Sequence, residues 1–269
     1  MNATVSMSAN TPAGMSLAAH VSGSGDNVVL IHGGRGSHSH WVRNIEALSR
    51  HYRVIALDLP GFGDAPDVAR DIDPDDYLAL VAAGIGILIG DRPTAVIGFS
   101  FGGAVAADLA RRLGACCTKL ALLGPGGFGE ATGRVLDLKS PPTAIETDPR
   151  YRAVIRHNLL AMMLHNPDSI DERTIDIQCR NIAGSRFNSL KVSLRPTILK
   201  DLGAVSCPLL MIWGANDTVA YPSPEARAAE CRAVRPDVEI RLVAGAGHWV
   251  QYESADTVNE LLLRFLKDK

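Results

Sequence analysis

The chain has 269 residues, of which 46% are hydrophobic and 21% are charged, and its formal net charge is −2. This composition supports a large buried core, and it argues against the clustered basic surface that nucleic acid or an anionic membrane would need. The five cysteines are odd in number and include no C-x-x-C pair, which argues against a disulfide framework or a zinc site and fits a reducing cytoplasm.

The first 20 residues combine small and polar side chains without a basic start followed by an apolar block. Nowhere does the chain offer the roughly 18 consecutive apolar residues of a membrane-spanning helix. We therefore expect neither a signal peptide nor a membrane span. The N-terminal stretch itself is compatible with a short edge hairpin or with partial disorder.

Short apolar runs alternate with helical patterns along most of the chain. The runs are Val28–Ile31, Tyr52–Leu57, Thr94–Ile97, Lys119–Leu123, Pro208–Trp213 and Val238–Val243. The helical patterns are Asp75–Ile89, Gly102–Leu113, Ser223–Val234 and Ala255–Leu266. Continuous apolar runs are typical of strands that are buried on both faces. The sequence therefore predicts an α/β fold with a mostly parallel central sheet and helices on both faces.

Residues 128–202 interrupt this alternation. They follow a turn rich in glycine and carry no clear buried strand. Their helical patterns are Tyr151–Leu164, Ile170–Ile182 and Leu190–Leu202. We predict that residues 128–202 form a helical lid inserted into an α/β core made of residues 1–127 and 203–269.

The sharpest local signal is the run Gly98-Phe99-Ser100-Phe101-Gly102-Gly103, which follows the predicted strand Thr94–Ile97 and opens a predicted helix. A G-x-S-x-G pattern between a strand and a helix is typical of a nucleophile elbow. The serine of such an elbow lies on a tight, strained turn, and small neighbours let the two backbones approach closely. The pattern alone is weak, but its strand–turn–helix context makes Ser100 the predicted nucleophile.

A serine hydroxyl needs a base to take its proton, and the base needs a group that orients it. His248 follows the predicted strand Val238–Val243, and Asp217 follows the strand that ends at Trp213. Each therefore lies beyond the carboxyl end of a strand, where open α/β sheets place their sites. The order serine, aspartate, histidine is also the one that this fold uses. The sequence thus predicts a Ser100–His248–Asp217 triad.

Each partner also has a simpler interpretation when it is considered alone. Asp217 sits in a Gly-x-Asn-Asp loop and could serve only as a turn residue, and His248 could be an ordinary surface residue. Their order and their shared placement at strand ends favour the triad over these alternatives.

An oxyanion hole should accompany the elbow. We expect its donors to be the N–H of Phe101 and the N–H of Gly34, because glycine lets the backbone face the site without an intruding side chain. Gly33 and Arg35 of the same loop are candidate substrate-binding residues. Arg35 could attract an anionic substrate or could simply point to solvent. For His32 we expect a hydrogen bond that stabilises the loop.

Three further histidines cluster in sequence: His38, His40 and His51. No carboxylate or cysteine lies at metal-ligand spacing with them, so we predict no metal site. Asp58–Gly63 is a turn whose proline and glycines indicate a structural role. We expect Trp41 to be a packing residue.

Taken together, the motifs at His32–Gly34, Asp58–Gly63, Gly98–Gly103, Gly214–Asp217 and Gly247–His248 resemble the α/β-hydrolase superfamily. Within it, the chain is similar to the meta-cleavage product hydrolases, which split a carbon–carbon bond in 2-hydroxy-6-oxohexa-2,4-dienoates during bacterial breakdown of aromatic compounds. The features shared with that family are Gly124-Pro125-Gly126-Gly127, Arg180, Trp249 and the spacing from His32 to Trp41.

This resemblance implies that Arg180 pairs with the substrate's carboxylate and that Trp249 contacts the substrate, although a solvated arginine on an insertion helix is an equal alternative for Arg180. Three positions depart from the family pattern. Phe99 and Phe101 replace the usual Asn and Met that flank the serine, and Arg35 replaces a glycine. The substrate pocket, to which we assign Phe99, is therefore altered.

The expected function is hydrolytic carbon–carbon bond cleavage of a small-molecule dienoate. A carboxylesterase acting on small or aromatic esters is the main alternative, because the same machinery serves both reactions. A slow-turnover ligand receptor is the third. Dehalogenases and epoxide hydrolases are excluded because they carry an aspartate where Ser100 stands. We expect no cofactor, and the chain is compatible with a monomer or a homo-oligomer.

Overall fold

The computed structural model describes residues 5–10, 16–142 and 147–268, in which eight strands form one sheet. The strands are β1 (Val5–Asn10), β2 (Ser16–Ser22), β3 (Asn27–Ile31), β4 (Arg53–Asp58), β5 (Thr94–Phe99), β6 (Cys117–Leu123), β7 (Leu209–Gly214) and β8 (Glu239–Val243). Their order in the sheet is β1-β2-β4-β3-β5-β6-β7-β8. The pairs from β4 to β8 are parallel, whereas β2 is antiparallel to both β1 and β4. The predicted mostly parallel sheet is therefore confirmed.

The N-terminal stretch contributes an edge hairpin, since β1 and β2 pair with each other at one side of the sheet. This is the first of the two alternatives that the sequence left open. Residues 1–4 and 11–15, on which the same expectation also fell, lie outside the described residues.

Ten helices surround the sheet in the described part of the chain. They are α1 (Ile45–Ser49), α2 (Pro74–Ile89), α3 (Phe101–Leu113), α4 (Pro149–Asn158), α5 (Glu172–Ala183), α6 (Leu190–Ser193), α7 (Ile198–Ala204), α8 (Pro224–Val234), α9 (Val250–Glu253) and α10 (Ala255–Lys267). Asp73 begins α2 and Ser223 begins α8, and each side chain accepts a hydrogen bond from a backbone N–H of the first turn. None of these helices combines the length and apolarity that a bilayer crossing needs.

Two apolar layers enclose the sheet, one on each face. Along β3, Val29 and Ile31 point into one layer while Val28 and Leu30 point into the other, as the two-residue repeat of a strand requires. The first layer contains residues of α2, α3 and α8, and the second contains residues of α1 and α10. Burial on both faces explains why strands β3, β5 and β7 read as continuous apolar runs, whereas β8 at the sheet edge exposes Arg241 and Leu242.

Helices α4 to α7 all lie between β6 and β7 in the chain, within the segment predicted as a lid. Apolar residues of α4 and α5 belong to the second layer, and those of α6 and α7 belong to the first. The pattern Leu190–Leu202 predicted one helix, but the structure divides it into α6 and α7. Pro196 lies between the two and lacks the N–H that a helix interior needs. A lid function for residues 128–202 stays a prediction.

The topology brings two loops together at the carboxyl edge of the sheet. Strand β3 lies between β4 and β5. The connection from β3 to β4 therefore runs to one side of β3, and the connection from β4 to β5 runs back to its other side. Open α/β sheets form a crevice at such a reversal. Ile31 is in register with Gly98, and the chain beyond each strand end therefore faces the other across this crevice.

Candidate active site

Ser100 occupies the strained turn that the elbow motif predicts. Its φ of 52° and ψ of −119° fall outside the regions that non-glycine residues favour. The N–H of Ser100 donates to the carbonyl of Leu123 at 2.9 Å, and its own carbonyl accepts the N–H groups of Gly103 and Gly126, each at 2.8 Å. These three hydrogen bonds hold the serine in place between β5 and α3.

The structure brings together the three residues that the sequence grouped as a triad. Oγ of Ser100 lies 2.9 Å from Nε2 of His248, and Nδ1 of His248 lies 2.8 Å from Oδ2 of Asp217. His248 is only 3% exposed and Asp217 only 4%. When Nδ1 donates its proton to the carboxylate, Nε2 keeps a free lone pair that accepts the serine hydroxyl. The arrangement can therefore remove a proton from Ser100.

The geometry of Asp217 is compatible with both of its interpretations, and its role in a triad stays a prediction. Its Oδ1 accepts the N–H groups of Val219 at 2.8 Å and Ala220 at 3.2 Å, which is a turn role, while its Oδ2 faces His248. One oxygen thus fixes the carboxylate to its own loop and leaves the other oxygen aimed at the histidine. The turn contacts orient the carboxylate toward His248.

Gly124 provides the space in which Asp217 and His248 meet. A Cβ at this position would lie 3.1 Å from Oδ2 of Asp217 and 3.1 Å from the His248 ring, and the φ of +47° favours glycine. The sequence marked Gly124 only as part of a family-like turn. Its contact with the Asp217–His248 pair depends on the packing of β6 beside β7, which spacing alone does not reveal.

Two buried histidines shape the loop that carries Gly33 and Gly34. The N–H of Gly33 donates to Nδ1 of His40 at 3.1 Å, and the N–H of Leu59 donates to Nε2 of His32 at 3.1 Å. His32 thus has the predicted hydrogen-bonding role. Because His40 accepts the N–H of Gly33, that N–H is not free to bind an oxyanion. The N–H of Gly34 is therefore the one that we propose as the donor. Sequence reasoning missed this role of His40, because it considered the residue only together with His38 and His51.

Ser189, which precedes α6, covers Gly34 from the insertion. A Cβ on Gly34 would overlap Oγ of Ser189, so glycine is required for the loop and the insertion to approach so closely. Asn181 of α5 also contacts this region, since its Oδ1 accepts the hydroxyls of Ser37 at 2.7 Å and Ser39 at 2.9 Å. The insertion therefore packs directly on the loop that follows β3.

Aromatic side chains surround the His40 and His248 rings. The Phe99 ring centroid lies 5.3 Å from that of His40 and 5.0 Å from that of His248. Trp249 donates its Nε1–H to the carbonyl of His40 at 2.9 Å and stacks on Tyr252 at 4.1 Å. Phe99 and Trp249 are both fully buried. These contacts give the two side chains a supporting role, and their direct contact with substrate stays a prediction.

The two arginines assigned to substrate binding lie at the surface. Arg35 is exposed and has a φ of 49°, and Arg180 is exposed on α5, one position before Asn181. Phe101 lies at the start of α3, where it is buried against Phe62 at a ring separation of 5.7 Å. Its N–H therefore lies at the N-terminal end of α3, where free backbone N–H groups and the helix dipole favour an anion. The role of each arginine stays a prediction.

Burial makes the two loop histidines sensitive to acid. It lowers the pKa of His32 to about 4 and the pKa of His40 well below its usual value. Between pH 6.5 and pH 4 the unfolded chain takes up a proton on His32 that the folded chain refuses, so stability is lost as the pH falls through this window. We expect His32 alone to account for about 3 kcal/mol of that loss.

Chemical denaturation at a series of pH values measures this effect. His32→Gln should show a shallower loss of unfolding free energy between pH 6.5 and pH 4 than the parent chain. His51→Gln, a change at an exposed histidine, should follow the parent. An equal pH dependence in all three proteins would rule out the assignment to His32.

Comparison with known proteins places the chain in a family. The model of the Alpha/beta hydrolase family matches residues 28–261, which include Ser100, Asp217 and His248. The chain therefore belongs to the alpha/beta hydrolase family, and it is an enzyme of the serine hydrolase class.

Two relatives show where the chain is similar within that family. It is 27% identical to the 2-hydroxy-6-oxononadienedioate/2-hydroxy-6-oxononatrienedioate hydrolase of Comamonas testosteroni, over 91% of this chain and 88% of the relative. It is 31% identical to the dihydrolipoyllysine-residue acetyltransferase component of the acetoin cleaving system of Pseudomonas putida, over 90% of this chain. The chain spans only 64% of the length of that second relative.

The fold is also that of an esterase from Rhodococcus sp. ECU1013. The two structures superpose with a TM-score of 0.76 and 20% sequence identity, and the match covers 98% of each chain. The relatives confirm the resemblance to meta-cleavage product hydrolases. The fold itself is shared by proteins named as meta-cleavage product hydrolases and by proteins named as esterases.

Proposed function

We propose that the chain hydrolyses a carbon–carbon bond in a 2-hydroxy-6-oxohexa-2,4-dienoate-type substrate, with Ser100 as nucleophile, His248 as base and Asp217 as the group that orients the base. The observation that carries this proposal is the continuous hydrogen-bonded run from Asp217 through His248 to Ser100 at the crevice of the sheet. The similarity to the Comamonas testosteroni hydrolase supports the choice of substrate class.

The geometry suits attack on a carbonyl carbon. After the dienol shifts to its keto tautomer, Ser100 adds to the distal carbonyl while His248 accepts the hydroxyl proton. The oxyanion that forms would receive hydrogen bonds from the N–H groups of Phe101 and Gly34. Cleavage of the adjacent carbon–carbon bond leaves an acyl group on Ser100 and expels the dienoate fragment, which takes the proton from His248. Water, deprotonated by His248, then attacks the acyl group and releases a carboxylic acid, and the proton returns to Ser100.

Carboxylesterase activity is the second candidate, and the residues that flank Ser100 favour it. Phe99 and Phe101 are buried hydrocarbon side chains, and they offer no hydrogen bond to an acidic dienoate. An ester with an apolar acyl group makes no such demand. A receptor that turns over slowly is the third candidate, and the intact proton-transfer geometry argues against it.

Parallel assays of the purified chain separate these activities. A chromophoric 2-hydroxy-6-oxodienoate and a series of p-nitrophenyl esters are offered under the same conditions, and kcat/KM is compared. We expect loss of the dienoate chromophore with a kcat/KM above that of any ester. Rapid ester turnover beside an unchanged dienoate spectrum would contradict carbon–carbon hydrolysis, and no turnover of either substrate would favour the receptor.

Arg180 provides a test of carboxylate recognition. Arg180→Ala should raise KM for the dienoate about tenfold to a hundredfold, because hydrogen bonds between charged groups contribute about 1.5–3 kcal/mol. The KM for a neutral ester should stay the same. Arg173→Ala, which removes another exposed arginine of α5, is the matched control. Equal effects on both substrates would show that Arg180 has no role in binding the carboxylate.

A further inference from the structure

A second cluster of chemically capable side chains lies on the other side of the loop that follows β3. His20 from β2, His38 from the turn after β3 and Asp58 from the end of β4 place one ligand atom each within 4.8 Å of one another. The His20 and His38 rings lie with their centroids 3.5 Å apart and their planes tilted by 30°. None of these residues belongs to the Ser100–His248–Asp217 triad.

We propose that His20, His38 and Asp58 form a binding site for a divalent transition metal ion of the zinc type, with Asp64 as a fourth ligand. Two imidazole nitrogens with carboxylate oxygens are a donor set that suits zinc, nickel, cobalt and copper, whereas magnesium prefers oxygen ligands alone. The site is additional to the proposed hydrolytic function and does not depend on it.

The distances between the ligand atoms fit a tetrahedral ion. Ligands that lie about 2.0–2.2 Å from zinc are separated from one another by roughly 3.3–3.6 Å. Nε2 of His20 lies 3.6 Å from Oδ2 of Asp58 and 3.8 Å from Oδ2 of Asp64. Nδ1 of His38 lies 3.0 Å from Oδ1 of Asp58. Two of these separations fall outside the tetrahedral range, and the two histidines face different oxygens of Asp58, so an ion would draw the side chains into a common geometry.

The backbone already holds Asp58 in place for such a role. Its Oδ1 accepts the N–H of His38 at 2.6 Å, and its Oδ2 accepts the N–H of Asp64 at 2.9 Å. Nδ1 of His38 also lies 3.0 Å from Oδ1, so an ion bound between these two atoms would replace that hydrogen bond. Hydrogen bonds that orient a ligating carboxylate are a regular feature of metal sites.

One polar atom of the cluster lacks a hydrogen-bond partner in the described part of the chain, and a buried carboxylate lies beside it. Nε2 of His20 is buried and has no hydrogen-bond partner among the described residues. Asp58 is only 1% exposed, so its negative charge is costly unless positive charge lies beside it. His20 and His38 lie beside Asp58 in the structure, and an ion would replace them as its positive partner while giving Nε2 of His20 a bond. His38 would then carry its proton on Nε2, which frees Nδ1 to bind the metal.

The location gives the ion a structural consequence. His38 belongs to the same loop as Gly33 and Gly34, and His20 and Asp58 lie on neighbouring strands. A bound ion would tie this loop to β2 and β4. Sequence spacing could not indicate the cluster, since its members come from three separate segments and His38 was compared only with His40 and His51.

Zinc titration of tag-free protein tests the site. A Cys116→Ser background removes an exposed thiol that would bind zinc independently. Calorimetry should show one saturable Zn²⁺ per chain, and a hundredfold excess over Kd should raise Tm by about 5 °C. Mg²⁺ at the same concentration should leave Tm unchanged.

Variants distinguish Zn²⁺ binding at this cluster from nonspecific Zn²⁺ binding at the protein surface. His20→Gln should weaken Zn²⁺ binding at least tenfold while the metal-free protein stays folded, and Asp58→Asn should have the same effect. His51→Gln removes an exposed histidine outside the cluster and should bind Zn²⁺ as the background protein does. Absence of saturable binding, or wild-type affinity in His20→Gln, would overturn the proposal. Hydrolytic assays are separate from this readout, so failure of one proposal leaves the other intact.

Discussion

Replacement of Ser100 by Ala should lower kcat at least about a thousandfold while the fold and substrate binding persist. The change removes only the oxygen that lies 2.9 Å from His248, and alanine can occupy the same backbone conformation that serine does. The proposed oxyanion donors remain in this variant, so a small residual rate over the uncatalysed reaction is expected. Steady-state assays with the preferred substrate measure the loss, and a thermal melt confirms that the chain stays folded.

Ser206→Ala is the matched control, because it makes the same chemical change at an exposed serine far along the chain from the elbow. Its kcat should equal that of the parent. A Ser100→Ala variant with a nearly normal rate would show that another group attacks the substrate, and the assignment of the nucleophile would then be wrong.

Asp217→Asn should lower kcat at neutral pH by about ten-thousandfold, which is the scale known for this change in serine proteases. An asparagine can keep the turn contacts to Val219 and Ala220 through its carbonyl oxygen. Its amide would then donate to Nδ1 of His248, so the imidazole proton would move to Nε2. In that tautomer the histidine presents a proton to Ser100 and cannot accept one.

Asp256→Asn provides the control for this second change, since Asp256 is exposed in the first turn of α10. It should have parental kcat. If Asp217→Asn lowered kcat by less than about tenfold, the carboxylate would only stabilise its own turn and would not set the tautomer of His248.

Much of this architecture was predictable because local physics determines it. Strands buried on both faces read as continuous apolar runs, and all six predicted runs overlap strands of the central sheet. The elbow was predictable because a serine at φ 52° between a strand and a helix requires small neighbours such as Gly98 and Gly102. The order of Ser100, Asp217 and His248 followed from the fold itself.

The supporting contacts were not predictable because they depend on how distant segments pack. His40 accepts the Gly33 N–H only because a short turn returns its ring to the loop. Ser189 covers Gly34 from the insertion, whose placement on the sheet has no signature in the sequence. Arg180 was assigned by resemblance, and that resemblance did not specify the direction of an exposed side chain.

Covalent labelling with a fluorophosphonate tests the central claim most directly, because such a reagent reacts with a serine that has a base beside it. We predict one adduct per chain, located by peptide mass spectrometry at Ser100, together with loss of hydrolytic activity in proportion to labelling. His248→Ala should label far more slowly. An adduct at a different residue, or full activity in a chain labelled at Ser100, would contradict the account.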